Sequence, residues 1–215
     1  MRISDVVIDS KRFGDRFAYW MHFIAVVEST LDKDGNIIME NDHDGAGLTF
    51  CGLTQRDDRL PSNPAASWIT STYYRSYWAI SRAANLPIGV GEEVANIAVN
   101  EGFSTSVKVL QQSVSALGRP VAIDGKIGPA TMTEAQQEDA QELCVTLGQY
   151  NDIHYKEIAA RNPNDLRFLR GWLNRDKSMI EAFAGEALKM AINPTPAPNT
   201  QVIDGITLTS PIIIT

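Results

Sequence analysis

Apolar residues recur at three- and four-residue steps through Phe13, Phe17, Trp20, Met21, Ile24 and Val27. That spacing predicts an amphipathic helix with one buried face. Glu28 continues the step from Phe17 through Met21 and Ile24, so a carboxylate closes the core-facing stripe near the end of the helix. The helical period then stops. Asp34-Gly35 is a hairpin-type turn, and residues 36–39 and 48–51 predict two short strands around a tight loop at 41–47. Asn63-Pro64 predicts the start of a helix that carries Trp68, Tyr73, Tyr74, Tyr77 and Trp78 and ends near Leu86-Pro87. A short apolar helix over 92–100 is closed by Gly102, and another is capped by Ser104 and stopped by Gly118. Pro129 opens a further helix, and two long helical stretches follow over 138–160 and 165–192. Residues 193–199, rich in Pro, read as a linker. The β-prone residues 202–215 suit an edge strand, an intermolecular contact or a loose tail. The pattern predicts a mainly α (α+β) chain with a small β-ribbon after the first helix.

Charge and cysteine usage narrow the function classes. Twenty-six Asp and Glu against 19 Lys and Arg give a net charge of −7. This argues against nucleic acid as the main partner, because phosphate contacts need clustered cations. Cys51 and Cys144 are too few for a disulfide framework and have no zinc-type spacing. They read as two buried free thiols, with a single bridge as the alternative. The apolar run over 17–27 is about half of the ~20 residues a spanning helix needs. It follows Asp5, Asp9 and Asp15, and Glu28 stands where a leader would carry a cleavage site. The expectation is a buried helix, no stable membrane insertion and no export signal. His22, His43 and His154 are scattered, no phosphate loop or nucleophile motif is present, and no metal or cofactor is implied.

Carboxylate chemistry remains. At the end of an apolar stripe, desolvation and the negative end of the helix both favour the protonated form of Glu28. A protonated Glu is what a glycosidase uses to protonate a leaving oxygen. Asp42 and Asp44 lie in the following loop, where an ionised carboxylate can face it. The plainer reading makes Glu28 the polar residue that ends a helix and Asp44 a carboxylate that stabilises a turn. Tyr74, Tyr77 and Trp78 share one side of their helix; one of these aromatics is expected to line a sugar groove while the others, and Trp172, pack in the core.

Glu28, followed by Asn41-Asp42-His43-Asp44-Gly45-Ala46-Gly47-Leu48-Thr49-Phe50-Cys51-Gly52-Leu53-Thr54-Gln55, resembles glycoside hydrolase family 108, the muramidases of phage endolysins and related bacterial proteins. The downstream marks Val99-Asn100-x-Gly102, Leu110-Gln111, Asp124-Gly125-x-x-Gly128-Pro129-x-Thr131 and Phe168-Leu169-x-Gly171-Trp172-x-x-Arg175 resemble that family's predicted peptidoglycan-binding segment. Three positions depart from the pattern. Ser29-Thr30 stands for Gly-Gly, Gly45-Ala46 for Pro-Gly, and Asn96 for an acidic residue.

The resemblance implies a lysozyme-like fold and cleavage of the β-1,4 bond between N-acetylmuramic acid and N-acetylglucosamine. It carries the catalytic acid onto Glu28, and Thr49 with Asp44 or Asp42 onto placement of the attacking water. Asp42, Thr54, Gln55, Tyr74 and Tyr77 are the candidate glycan contacts, and the partner is the peptidoglycan glycan strand. Three regions are expected: a catalytic part at 1–87, a helical peptidoglycan-binding part at 88–192 in the same globule, and the tail at 193–215. An endolysin of this kind is made in the host cytoplasm and released to the wall by a holin-type membrane partner. Two alternatives stay open. A lytic transglycosylase also uses one Glu, and a non-catalytic wall-binding or secretion-accessory protein would fit a decayed site.

Overall fold

The computed structural model describes residues 1–41, 47–162, 165–192, 201–203 and 206–208, with side chains through residue 185. A helix that the sequence pattern did not single out, α1 (Ile3–Ser10), comes first. A 3-10 turn over Lys11–Phe13 and Gly14, at φ +101°, separate it from α2 (Asp15–Glu28). Phe17, Trp20, Met21 and Ile24 of α2 are buried, so the predicted stripe is the core face.

The sheet follows α2, as the pattern predicts. It contains β1 (Glu40–Asn41), β2 (Leu48–Phe50) and β3 (Leu53–Thr54), antiparallel in that order. Glu40 pairs with Thr49, and Thr49 with Thr54. Residues 36–39, expected as a strand, contribute only isolated bridges from Asn36 to Arg2 and from Ile37 to Leu31. The Asp32 carboxylate accepts the backbone N–H groups of Asp34 and Asn36, which fixes the turn at Gly35 and pulls this segment out of the ribbon.

A short helix α3 (Gln55–Asp58) leads to α4 (Ala66–Tyr73), which runs into a π-helical turn over Tyr74–Ala79. The second half contains α5 (Val90–Glu101), α6 (Phe103–Ala116), α7 (Pro129–Gln136), α8 (Ala140–Arg161) and α9 (Leu166–Ile192). The longest pair, α8 and α9, pack on each other, and α5 touches α2, α6, α8 and α9. One apolar cluster runs from Phe17 and Trp20 through Ile97 and Leu110 to Leu147 and Phe183. The two halves therefore share a core in a lysozyme-like helical globule with a small sheet. Two further strands, Gln201–Ile203 and Ile206–Leu208, pair antiparallel with each other. Among the described residues, no helix is long and apolar enough to cross a membrane.

The halves are also tied by a buried ion pair. Arg16 of α2 holds Glu92 of α5 through two 2.7 Å contacts and donates to the carbonyls of Leu86 and Pro87. Glu92 in turn accepts the N–H of Gly89, which caps the start of α5. Several sequence marks have local structural work. Buried Gln111 donates to Asp124, to the Lys126 carbonyl and to Thr131, and accepts from the Gly125 N–H. It thereby clasps the loop between α6 and α7. Both cysteines are buried and free.

Candidate active site

Glu28 is the last residue of α2, where Ser29 leaves the helix at φ −105° and ψ 132°. That is ordinary extended backbone, open to any L-residue, so Ser29 fits where the resembling family has glycine. The Glu28 side chain is about one-fifth exposed. Three elements close around it. From α9, Arg175 donates to its Oε1. From the β2–β3 hairpin comes the two-residue turn Cys51-Gly52, with both φ angles positive, at 51° and 73°. This is the pattern of a type I′ turn, whose twist matches the flanking strands. From the end of α4, the Tyr73 hydroxyl donates to the Cys51 carbonyl at 2.8 Å.

The turn approaches Glu28 closely. A Cβ on Gly52 would lie 2.9 Å from Glu28 Cβ, 2.9 Å from Oε2 and 2.7 Å from the Tyr73 hydroxyl oxygen. Only a residue without a side chain lets the hairpin back onto the carboxylate. Burial pushes the Tyr73 phenol well above its ordinary range, with Cys51 and Glu28 adding to the effect, so it acts as a neutral donor here.

Arg175 has a second anchor, the amide oxygen of Asn96 on α5 at 2.8 Å. An acidic residue at 96 would compete for the guanidinium. The amide is a neutral acceptor and leaves the positive charge to Glu28. Beside the pair opens a depression of about 430 Å³, lined by Val27, Asn100, Trp172, Asn174, Arg175 and Ser178 among others. Trp172, expected in the core, is only half-buried and lies between Tyr155 and Phe168, with ring centroids at 5.2 and 6.1 Å.

The other expected site residues are placed unequally. Thr49 sits in the middle strand, paired on both sides. Thr54 caps α3, its hydroxyl accepting the Asp57 N–H at 3.0 Å. Gln55 accepts the Leu48 N–H at 3.0 Å and so pins the C-terminal side of the 42–46 loop. Tyr77 packs 5.5 Å from Tyr73. Its phenol is pushed up to about 12, first by burial and then by the carboxylates of Asp58, Glu28 and Asp57, which places it on the Glu28 side. Tyr74 points elsewhere, stacked on Phe13 at 4.2 Å with Phe17 at its edge. Asp42 and Asp44 lie outside the described residues, between β1 and β2 in sequence. Among the described residues, no group of His, Cys, Asp and Glu is arranged to hold a metal ion.

A second polar cluster lies behind Arg175. Asp176, almost fully buried, accepts from the Asn151 amide at 2.8 Å. Burial pushes its carboxyl up to about 7. Glu101 is pushed up to about 8 by burial and by Asp176, while burial lowers the neighbouring His154. Glu101 Oε2 lies 2.7 Å from His154 Nε2 without hydrogen-bond geometry between them. Glu93, fully buried beside Asp176 and the Cys144 thiol, is raised further by burial. These carboxyls look inward, and their order is structural.

Residues 105–177 match the family described as Predicted Peptidoglycan domain. That segment contains the Gln111 clasp, Trp172 and Arg175. Among solved structures, the chain is similar to one titled "Structure of Brucella abortus SagA", with a TM-score of 0.62 and 21% identity over 80% of this chain and 93% of that one. The likeness extends to the fold. No curated protein sequence matches the chain.

Proposed function

We propose that the chain is a peptidoglycan glycosidase of the family 108 type, an N-acetylmuramidase with Glu28 as the general acid. The observation that carries this reading is the setting of Glu28. It is a helix-terminal carboxylate, largely shielded, backed by a glycine turn and opening beside a cavity. The cavity wall includes Trp172 and Arg175 from the peptidoglycan-type segment. Protonation of the glycosidic oxygen by Glu28 would let the sugar leave as a neutral hydroxyl instead of an alkoxide. Asp42 and Asp44, between β1 and β2 in sequence, and Thr49 on β2 are the candidates for placing water on the opposite face of the sugar.

The three-region division follows from this reading, with residues 1–87 carrying the acid and 88–192 the far wall of the cleft. So does an endolysin's way of working, in which the protein is made in the host cytoplasm and reaches the wall through a holin-type partner.

The deciding experiment is Glu28→Gln, scored by clearing of purified peptidoglycan and by thermal unfolding. The Gln side chain keeps size and hydrogen bonding but has no acidic proton. A loss of about 10²–10⁴-fold is expected in folded protein. Near-wild-type clearing would refute the assignment. The masses of the products separate the two glycosidic chemistries, since hydrolysis adds a water and transglycosylation does not.

A further inference from the structure

Arg175 holds both a neutral anchor and the proposed acid. Its two terminal nitrogens go to Asn96 and Glu28, and its Nε, sealed from solvent, has no partner among the described residues. The same side chain lines the cavity of about 430 Å³, whose other lining groups are uncharged. With Oε1 held by Arg175 and Oε2 against the Gly52 turn, neither oxygen of Glu28 is free to face a glycosidic bond. Work as a general acid requires that this clamp open, and the cavity gives an outside anion access to it.

Resting on the reading that the chain acts on peptidoglycan, we propose that Arg175 is a carboxylate-recognition residue. In this proposal an acidic group of the glycan strand takes the guanidinium from Glu28, and the released carboxylate takes up a proton from water, which it then gives to the glycosidic oxygen. Peptidoglycan carries such groups in two places, the lactyl carboxylate of muramic acid where no peptide is attached and the carboxylates of the stem peptide. Chitin-type N-acetylglucosamine chains carry none. Arg175 is thus a specificity-determining residue that favours an acidic glycan over a neutral one. Asn96 keeps the guanidinium in place while its partner changes, because the 2.8 Å contact involves the other terminal nitrogen. Glu28 and the ligand carboxylate compete for one cation, so removing the Glu28 charge must strengthen binding of acidic ligands.

The test is calorimetric binding of three disaccharides that a muramidase does not cut. These are GlcNAc–MurNAc-tetrapeptide, GlcNAc–MurNAc with a free lactyl carboxylate, and neutral diacetylchitobiose. On Glu28→Gln protein the acidic ligands should bind up to about tenfold tighter than on wild type, as for a site closed nine-tenths of the time. Chitobiose should change by less than about twofold, within the scatter of such contacts. Arg175→Gln should erase the preference for acidic ligands, and Arg175→Lys, which keeps the charge and serves if the Gln variant does not fold, should retain part of it. A gain confined to the tetrapeptide ligand assigns the stem peptide, a gain confined to the free-lactyl disaccharide assigns the lactyl side, and a gain with both means that Arg175 accepts either carboxylate. An equal gain for chitobiose, or an acidic preference that survives in folded Arg175→Gln, overturns the proposal. Loss of clearing by Glu28→Gln without an acidic preference sinks this inference alone. Normal clearing by that variant sinks the acid assignment and leaves the binding result to stand by itself.

Discussion

Gly52→Ala isolates the contact between the hairpin turn and the proposed acid. Two costs are separable. At φ +73° an alanine sits in the left-handed region, which costs about 1–2 kcal/mol. The new Cβ also meets Glu28 Cβ and Oε2 at 2.9 Å and the Tyr73 hydroxyl at 2.7 Å, so the carboxylate or the turn must shift. Overpacking of that kind costs about 1–3 kcal/mol more. The control is Gly35→Ala, at a similar φ of +78° with nothing within 4 Å of its Cβ. It incurs the backbone cost only. For a chain of this size 1 kcal/mol is about 2–4 °C in Tm. Gly35→Ala should therefore lose about 2–8 °C and clear peptidoglycan normally. Gly52→Ala should lose a further 2–12 °C or so and clear about 10–100-fold more slowly, since a reacting group has been misplaced by a fraction of an ångström. Equal melting losses in the two variants with wild-type clearing in both would refute the close packing of Gly52 on the site.

Stability should depend on pH through the buried carboxyls. Asp176 and Glu101 have folded values near 7 and 8, above their unfolded ones, so their stabilisation is full below about pH 4 and is lost as pH rises through 7 to 8. Denaturant titration should show a fall on the order of a few kcal/mol over that range, and a smaller fall in Asp176→Asn; a slope unchanged in that variant would contradict the burial argument. Arg16→Met leaves Glu92 buried without its cation and should cost about 3–5 kcal/mol in chemical denaturation, so a loss below 1 kcal/mol would mean that the tie between the halves is not important. A chain ending at Ile192 should fold and clear peptidoglycan as the full chain does, because α9 ends there and the matched segment ends at 177; folded but inactive protein would make the tail part of the site.

The elements most legible in the sequence are those whose signals are local. The stripe of α2 ends on Glu28 as its period requires, Gly102 divides α5 from α6, Pro129 opens α7, and residues 162–164 separate α8 from α9 within a residue or two. The sheet was displaced by one segment because a side chain, that of Asp32, took over the backbone groups of residues 34–36. The grouping of Tyr74 with Tyr77 assumed 3.6 residues per turn. The π-helical turn over Tyr74–Ala79 is wider, and it sends Tyr74 to Phe13 and Tyr77 toward Glu28. Buried Glu92 and Glu93 on a helix read as apolar had no local signal either, since the partner of Glu92 lies 76 residues away.

Arg175 shows how far apart in sequence the groups around Glu28 lie. Arg175 was visible as one mark among several, but nothing near it in sequence points to Glu28, 147 residues earlier. Glu28 comes from α2, its backing from the β2–β3 turn, the neutral anchor from α5 and the cation from α9. On the proposed reading neither half of the chain holds a complete site, for the segment matched to a peptidoglycan domain supplies the guanidinium that pairs with Glu28. If Arg175 recognises acidic glycans as proposed, ligand binding and the release of Glu28 are coupled by competition for one guanidinium. Under that proposal the ion pair that closes the empty site also keeps Glu28 engaged until an acidic glycan is present.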